Sequence, residues 1–295
     1  ELLGVERAAL VLPETEDGRL AFVVPWEGRA VVGTTDSPYE GPLESPGVEE
    51  AEVEYLLRHV RRFLDVEVQP DDVLAAYAGL RPLVSGSGRS ADLSRRHAVV
   101  LHEPGFVSVI GGKLTTYRRM AQDAVDVIAR HEAREPDGLR IGPSRTHRLA
   151  LVGAEHQERW PALVRQALKA GLAAAAAGRL VQTYGAEAGR LLDLTRARPE
   201  LGRPLAPGLP HLAAEVVFAC ETSMPVRLED LMDRRLRIGL VAPAAAAAAA
   251  TEAARLMGER LGWSGPHREE ELQRYLGGLG RWREGIQPGC VEGTS

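Results

Sequence analysis

The apolar residues of this chain keep two different rhythms. The switch between them lies in a charged, proline- and glycine-containing stretch, His131 to Pro143. Before it, short apolar runs alternate with turn signals, and only two helical stripes interrupt them. After it, the apolar clusters recur at i, i+3, i+4 and i+7, the spacing of a helix face. A sheet-bearing region followed by an all-helical one is the architecture this pattern allows, and 295 residues suffice for two domains of roughly 100–200 residues each. The expected class is α+β, with domains at 1–135 and 144–285.

Ala8 to Leu12 and Leu20 to Val24 are apolar runs around the turn signal Glu14-Thr15-Glu16-Asp17-Gly18. Arg29 to Gly33 is a third run, reached through Trp26-Glu27-Gly28, and an antiparallel meander is expected. Ser45-Pro46-Gly47 opens a helix that carries Val53, Leu56, Leu57, Val60 and Leu64 on one face. Its glutamates crowd the first turns and its arginines the last, the order the helix dipole favours, so these charges need no functional account. Val73 to Leu80 reads as a strand ending at Gly79-Leu80-Arg81-Pro82. Ala98 to His102 and Phe106 to Ile110 form a hairpin about Glu103-Pro104-Gly105, and a helix then carries Tyr117, Met120, Ala121, Ala124 and Ile128. Beyond the linker, helices are expected at Ala162 to Ala170, Gly178 to Tyr184, Leu212 to Cys220, Leu228 to Leu240, Ala244 to Leu261 and Arg268 to Leu276, with a break at Pro225.

The net charge of -5 and an aromatic content of 5% argue against nucleic acid, which needs a basic footprint and stacking surfaces. No apolar run reaches the length of a membrane span, since the longest, Leu240 to Ala250, is short and mostly alanine. Cys220 and Cys290 are far apart and lack His or Cys neighbours at metal spacing, so neither a disulfide framework nor a metal site is expected.

The segment that carries chemistry is a strand followed by Gly111-Gly112-Lys113-Leu114-Thr115-Thr116 and a helix. Paired glycines let a ligand approach the backbone, and free N–H groups at a helix start favour an anion or an electron-rich oxygen. It is not a phosphate-binding P-loop: Val107 stands five residues before Gly112, and Leu114 follows the lysine. A plain helix start explains the pattern equally well. Lys113 adds weight, because of the 36 basic residues only Lys113 and Lys169 are lysine. Lysine is a point charge whose pKa responds to burial, while arginine is a fixed fork. Arg81, held extended by Pro82, could direct its fork at a carboxylate or phosphate, or form a structural salt bridge. Arg95 lies in Ser94-Arg95-Arg96-His97, and His97 is the imidazole nearest to it, more often a packing residue than a catalyst at such a place.

Taken in order, these segments resemble the FAD-dependent glycerol-3-phosphate dehydrogenase family. The likeness is carried by Pro25-Trp26-Glu27-Gly28 leading to Val32-Gly33-Thr34-Thr35-Asp36, by Tyr77-Ala78-Gly79-Leu80-Arg81-Pro82-Leu83, by Ser94-Arg95-Arg96-His97 and by Gly111 to Arg118. It continues through Thr183-Tyr184-Gly185 and the helices from Glu215 to Leu240. The resemblance implies the remainder of a glutathione-reductase-like FAD and substrate-cap domain with an antiparallel sheet, then an all-α carboxy-terminal domain. It implies oxidation of sn-glycerol 3-phosphate to dihydroxyacetone phosphate, with electrons passing through FAD to a quinone. It implies that Arg81 and Arg95 hold the substrate phosphate and that Lys113 and His97 serve the chemistry. Gly111, Gly112, Lys113, Leu114 and Thr115 would face the flavin. A cytoplasmic protein, peripheral on the inner face of the cell membrane, fits the family, and a homodimer stays open. The family's Gly-x-Gly-x-x-Gly strand–turn–helix is missing from this sequence. The chain is therefore expected to be an incomplete part of the enzyme, neither holding FAD nor turning over substrate alone. An oxygen-using oxidase and a non-catalytic interaction domain are the competing readings.

Overall fold

Alternation along one strand sets the first core. In the computed structural model, which describes residues 8–280 other than 14, 17, 45, 83–95, 104, 135 and 136, β1 (Leu10–Leu12), β2 (Ala21–Trp26) and β3 (Arg29–Gly33) form an antiparallel sheet in sequence order. Leu12 lies opposite Ala21 and Val23 opposite Val32. Ala21 and Val23 are fully buried while Phe22 and Val24 face outward, as a half-covered strand requires. Helix α1 (Glu50–Leu64) brings Val53, Leu57 and Val60 to the same core, with Val68 beside them. The Glu52 carboxylate accepts from Glu49 N–H at its start, and Asp65, at φ 50°, ends it.

Two compact units divide the chain: described residues within 1–35, 47–77 and 151–295 form the first, those within 36–46 and 78–150 the second. The first three strands and α1 thus group with the helices beyond the linker, whereas the apolar rhythm alone groups them with their sequence neighbours.

The helical part of the first unit contains α3 (Trp160–Lys169), α4 (Ala174–Tyr184), α5 (Ala188–Ala197), α6 (Ala213–Thr222), α7 (Ile238–Val241), α8 (Pro243–Leu261) and α9 (Gly265–Gly278). Leu180, Leu191, Leu192, Leu201, Leu212, Leu231, Met232, Leu236 and Ile238 are sealed in its core. The alanine run of α8 is part of that core: Ala246, Ala249, Ala250, Ala253 and Ala254 are buried on one face, and α6 packs against α8. Small side chains at helical spacing let two helices approach closely, so the low-complexity run is a packing surface. Gly185 serves a similar end. It closes α4 at φ 56°, and a Cβ there would run into the Gly153 carbonyl, which accepts from Ala186 N–H at 2.8 Å.

The second unit is built otherwise. Strands β4 (His97–His102) and β5 (Phe106–Gly111) form a hairpin, and α2 (Tyr117–Glu132) packs on it. Among the described residues of this unit only Gly111 is buried. Phe106 is 66% exposed, Leu114 88% and Tyr117 51%, and Val100, Leu101, Val109 and Ile110 also reach solvent. A two-stranded hairpin with such a surface is marginal by itself.

Two expectations are corrected, and one helix is added. Val73 to Leu80 is not a strand: a 3-10 turn at Pro70–Asp72 leads into chain with no ladder partner among the described residues, and Tyr77 is 68% exposed. Leu228 to Leu240 is not one helix. A π-turn at Asp230–Arg235 and the left-handed Arg237, at φ 61°, separate it from α7. Helix α5 was not foreseen, because Gly185 and Gly189 flank its start and mask its apolar period.

The alanine face of α8 makes a direct prediction. Ala250→Leu should lower stability by about 1–3 kcal/mol through overpacking, whereas Ala247→Leu on the exposed face should stay within about 0.5 kcal/mol of the parent. Thermal or urea unfolding of the two variants decides, and equal effects would show that the run is not a packing face.

Candidate functional site

Strand β5 ends in two left-handed glycines, Gly111 at φ 73° and Gly112 at φ 83°. A Cβ on Gly112 would strike the Met120 side chain and lie 3.2 Å from His97 Cβ, so glycine lets the turn settle onto α2 and β4. Lys113 follows, then a single 3-10 turn, Leu114–Thr116, that leads into α2. The Thr116 hydroxyl closes the turn by accepting from Lys113 N–H at 3.2 Å and donating to Lys113 O at 3.0 Å. Lys113, Leu114 and Thr115 consequently stand out in solvent, and the Lys113 ammonium has no partner among the described residues.

His97 sits directly across the ladder from Gly111. Its Nε2 is 2.8 Å from Asp123 Oδ2 on α2, and Asp123 Oδ1 is 2.9 Å from Arg119 Nε. The imidazole hydrogen bond is the largest influence on the Asp123 carboxyl, and together with Arg119 it outweighs the opposing effect of burial and holds the group below its ordinary value. The structure thus gathers His97, Gly111, Gly112, Lys113, Leu114 and Thr115 at one end of the hairpin. Arg81 lies in the same unit and pairs through Nε with Asp36 Oδ1 at 3.2 Å. The salt-bridge reading of Arg81 is therefore realised, by a residue of the Thr34-Thr35-Asp36 stretch. Arg95 lies outside the described residues.

A second polar constellation, in the first unit, was not given a role by sequence reasoning. Glu215 on α6 is fully buried, and both its oxygens accept from Arg179 Nη1 of α4, at 2.9 and 2.7 Å. Tyr184 hydroxyl and Leu212 N–H complete its shell, each at 2.8 Å. Arg179 Nε faces Glu27 Oε2 at 3.8 Å, and Glu27 Oε1 meets Arg237 Nη2 at 2.5 Å. Glu27 and Gly28 form the left-handed two-residue turn between β2 and β3. The Arg237 guanidinium lies 5.4 Å from the Trp26 ring, and Arg29 Nε donates to Val241 O at 3.3 Å. The sheet turn is thereby plugged into the helices. Burial, then the Glu215 charge, push the Tyr184 phenol above its ordinary range. His211 is buried, with Nε2 3.0 Å from Leu236 O. Desolvation first, and the Arg179 charge second, push its imidazole down to about 3. The signals were visible as Trp26-Glu27-Gly28, Thr183-Tyr184-Gly185 and Glu215, but no local spacing connects them to Arg179 or Arg237.

Cys220 is poorly set up for thiol chemistry, and Cys290 lies outside the described residues. Burial pushes the Cys220 thiol up to about 11, which leaves little nucleophilic thiolate. Among the described residues no group of three or more metal-binding side chains forms. Among the same residues, no helix is long and apolar enough to cross a membrane.

With this geometry in view, the comparisons with known proteins are consistent with one another. A family model described as FAD dependent oxidoreductase matches residues 3–118, and one described as the C-terminal domain of alpha-glycerophosphate oxidase matches residues 144–268. The chain is 36% identical over 278 residues to the mitochondrial glycerol-3-phosphate dehydrogenase of Mus musculus, covering 91% of this chain and 37% of that protein. It is 34% identical over 259 residues to the glycerol-3-phosphate dehydrogenase of Mycobacterium leprae, covering 86% and 43% respectively. The solved glycerol-3-phosphate dehydrogenase of Bacillus halodurans, complexed with FAD, shares the fold at a TM-score of 0.74 and 24% identity, over 98% of this chain and 55% of that one. The chain thus spans about two fifths of the length of the curated relatives it matches, 37% and 43% in these two cases.

Two outcomes follow from the buried network. Glu215→Ala leaves the Arg179 guanidinium buried without its carboxylate and should cost about 3–5 kcal/mol in urea unfolding. His211 adds a pH dependence: folded, it resists protonation down to about 3, while unfolded it titrates near 6.5. Its contribution is therefore fully present above the unfolded value and is lost as pH falls. Between about pH 7.5 and about pH 5, the parent should lose more stability than His211→Gln. Equal losses would remove His211 from the account.

Proposed function

Because the chain belongs to the FAD-dependent glycerol-3-phosphate dehydrogenase family, we propose that it forms the substrate-cap and carboxy-terminal portions, 1–135 and 144–285, of an enzyme that oxidises sn-glycerol 3-phosphate to dihydroxyacetone phosphate. The observation that carries this reading is the turn from Gly111 to Thr115, inside the region matched by the FAD model. It presents two residues without side chains, the buried Gly111 and the half-buried Gly112, then an exposed ammonium with no partner among the described residues and the exposed first residues of a helix entry. Such a turn suits the edge of a ring that gains negative charge on reduction. When bound, FAD supplies the two-electron acceptor for the substrate's carbinol hydrogen.

The chain's own residues divide the remaining work. Gly111, Gly112, Leu114 and Thr115 offer backbone to the flavin, and Lys113 favours negative charge developing on substrate oxygen. Arg81 and Arg95 bind the phosphate, which a guanidinium fork matches geometrically. Asp36 holds Arg81 through Nε, so the rest of the fork can turn toward a dianion. His97 takes up the hydroxyl proton. By itself the chain supplies one edge of a flavin site, and added FAD is expected to stay free unless the rest of the FAD fold is present. The relatives bear the name dehydrogenase, which favours an acceptor other than oxygen; a quinone at a peripheral membrane contact is the acceptor that the family resemblance implies. The oxidase description of the carboxy-terminal model favours oxygen as the second reading.

In the flavin-loaded protein that contains this chain, glycerol 3-phosphate should bleach the flavin absorbance. Lys113→Met should slow that reduction by roughly 10²–10³-fold. Arg81→Met should raise KM more than about tenfold, from the loss of a charge-assisted contact. Quinone reduction without peroxide selects the dehydrogenase, and stoichiometric peroxide selects the oxidase. A loaded flavin that glycerol 3-phosphate leaves oxidised would end this reading.

A further inference from the structure

Asp123 was not part of any motif, yet it decides what His97 can do. An ionised carboxylate only accepts hydrogen bonds. Its lowered pKa keeps Asp123 ionised near neutrality. The 2.8 Å contact from His97 Nε2 to Asp123 Oδ2 therefore places the imidazole proton on Nε2. The neutral ring then has its lone pair on Nδ1, for which no hydrogen bond is formed among the described residues. His97 starts β4 opposite Gly111, and its Cβ borders the space above Gly112, beside the turn that carries Lys113. Arg119 holds the other oxygen of Asp123, at 2.9 Å, and so fixes the carboxylate in turn.

We propose that Asp123 is a positioning residue that locks His97 in the tautomer whose Nδ1 accepts the substrate hydroxyl proton, with Arg119 as its anchor. This rests on the reading of the Gly111–Thr115 turn as the flavin and substrate edge. The step balances as an alcohol oxidation: the O–H bond breaks and its proton goes to Nδ1, while the carbinol hydrogen leaves with two electrons to FAD. The resulting imidazolium is stabilised by the Asp123 carboxylate. The charged groups that bear on His97 are few. Helix α2 presents Asp123 and Arg119, the start of β4 brings Arg96, and Lys113 follows β5, which itself has no titratable side chain.

The test is the pH profile of flavin reduction by glycerol 3-phosphate in the flavin-loaded protein that contains this chain, for the parent and for Asp123→Asn, Asp123→Glu and His97→Gln. The reductive rate should rise with pH, as it does whenever a proton acceptor must be unprotonated to act. Asparagine removes the charge that favours imidazolium, so the rising limb of Asp123→Asn should move about one unit toward acid. Its plateau should fall roughly 10²-fold because the tautomer is no longer fixed. Asp123→Glu should return the limb toward its parental position. A lower plateau with the limb unmoved in Asp123→Asn would mean that Asp123 merely supports α2, and would overturn the proposal. His97→Gln that keeps both rate and limb would overturn it at its root, by removing His97 from proton transfer while the flavin reading stands. Should Asp123→Asn fail to load flavin, Arg119→Gln supplies the same comparison: loss of the cation leaves imidazolium more favoured, and the limb should move toward base.

Discussion

A carboxylate with no exposed surface must find its whole hydration shell in protein, and Glu215 does so with Arg179, Tyr184 and the Leu212 N–H. The first unit is organised around that requirement. Glu215 starts α6, Arg179 and Tyr184 belong to α4, and Leu212 precedes α6, so satisfying one buried charge fixes the relation of two helices. Arg179 in turn cannot be left with a single buried partner, and its other flank meets Glu27. Two guanidiniums and two carboxylates then alternate from Arg237 to Glu215, with no net charge left over. Replacing such a network by apolar groups can be neutral, but removing one member is costly. That asymmetry makes the network a specificity device: alternative packings would strand a charge.

The network also explains why the first three strands group with the helices. The β2–β3 turn adopts a left-handed backbone at Glu27, a conformation unfavourable for a residue with a Cβ. Arg237, at the other end of the ion pair, is left-handed too. Both strained residues are held by the ion pair they make and by Trp26 beneath the Arg237 guanidinium. Backbone strain at two facing positions, offset by a contact between them, ties the turn to α7 more firmly than apolar packing of so small a sheet would.

Much of this fold was legible because period and punctuation act locally. The hairpin about Glu103 and Gly105, the meander and the helices of the second half follow from spacing and from turn residues. The missed helix α5 is a local failure, while the other two share one physical origin. Val73 to Leu80 has strand composition, but a strand needs a ladder partner, which no run of residues can announce. Arg237 breaks a helix through its ion pair with Glu27, far away in sequence. At the candidate site, the glycine pair and Lys113 were readable because they are consecutive. Asp123 was not, since a helix position that faces a strand becomes visible only when the two are packed. Arg81 was legible as a fork, but its partner Asp36 was not.

Arginine is the right cation wherever this chain must grip two acceptors at once. Arg255 bridges Glu252 and Glu259, Arg274 bridges Glu270 and Glu271, and Arg61 joins Glu54 to the Val68 carbonyl. Lysine occurs only at positions 113 and 169, and neither ammonium has a partner among the described residues. Their settings nonetheless differ. Lys169 ends α3, where the dipole welcomes a cation, so a surface role accounts for it fully. Lys113 stands at the entry to α2, where the same dipole repels one. Asp or Glu would suit the fold better at that place. Helix geometry therefore gives no reason for a cation there, and the proposed function gives one: a substrate oxyanion beside a reduced flavin is the negative charge that Lys113 would meet.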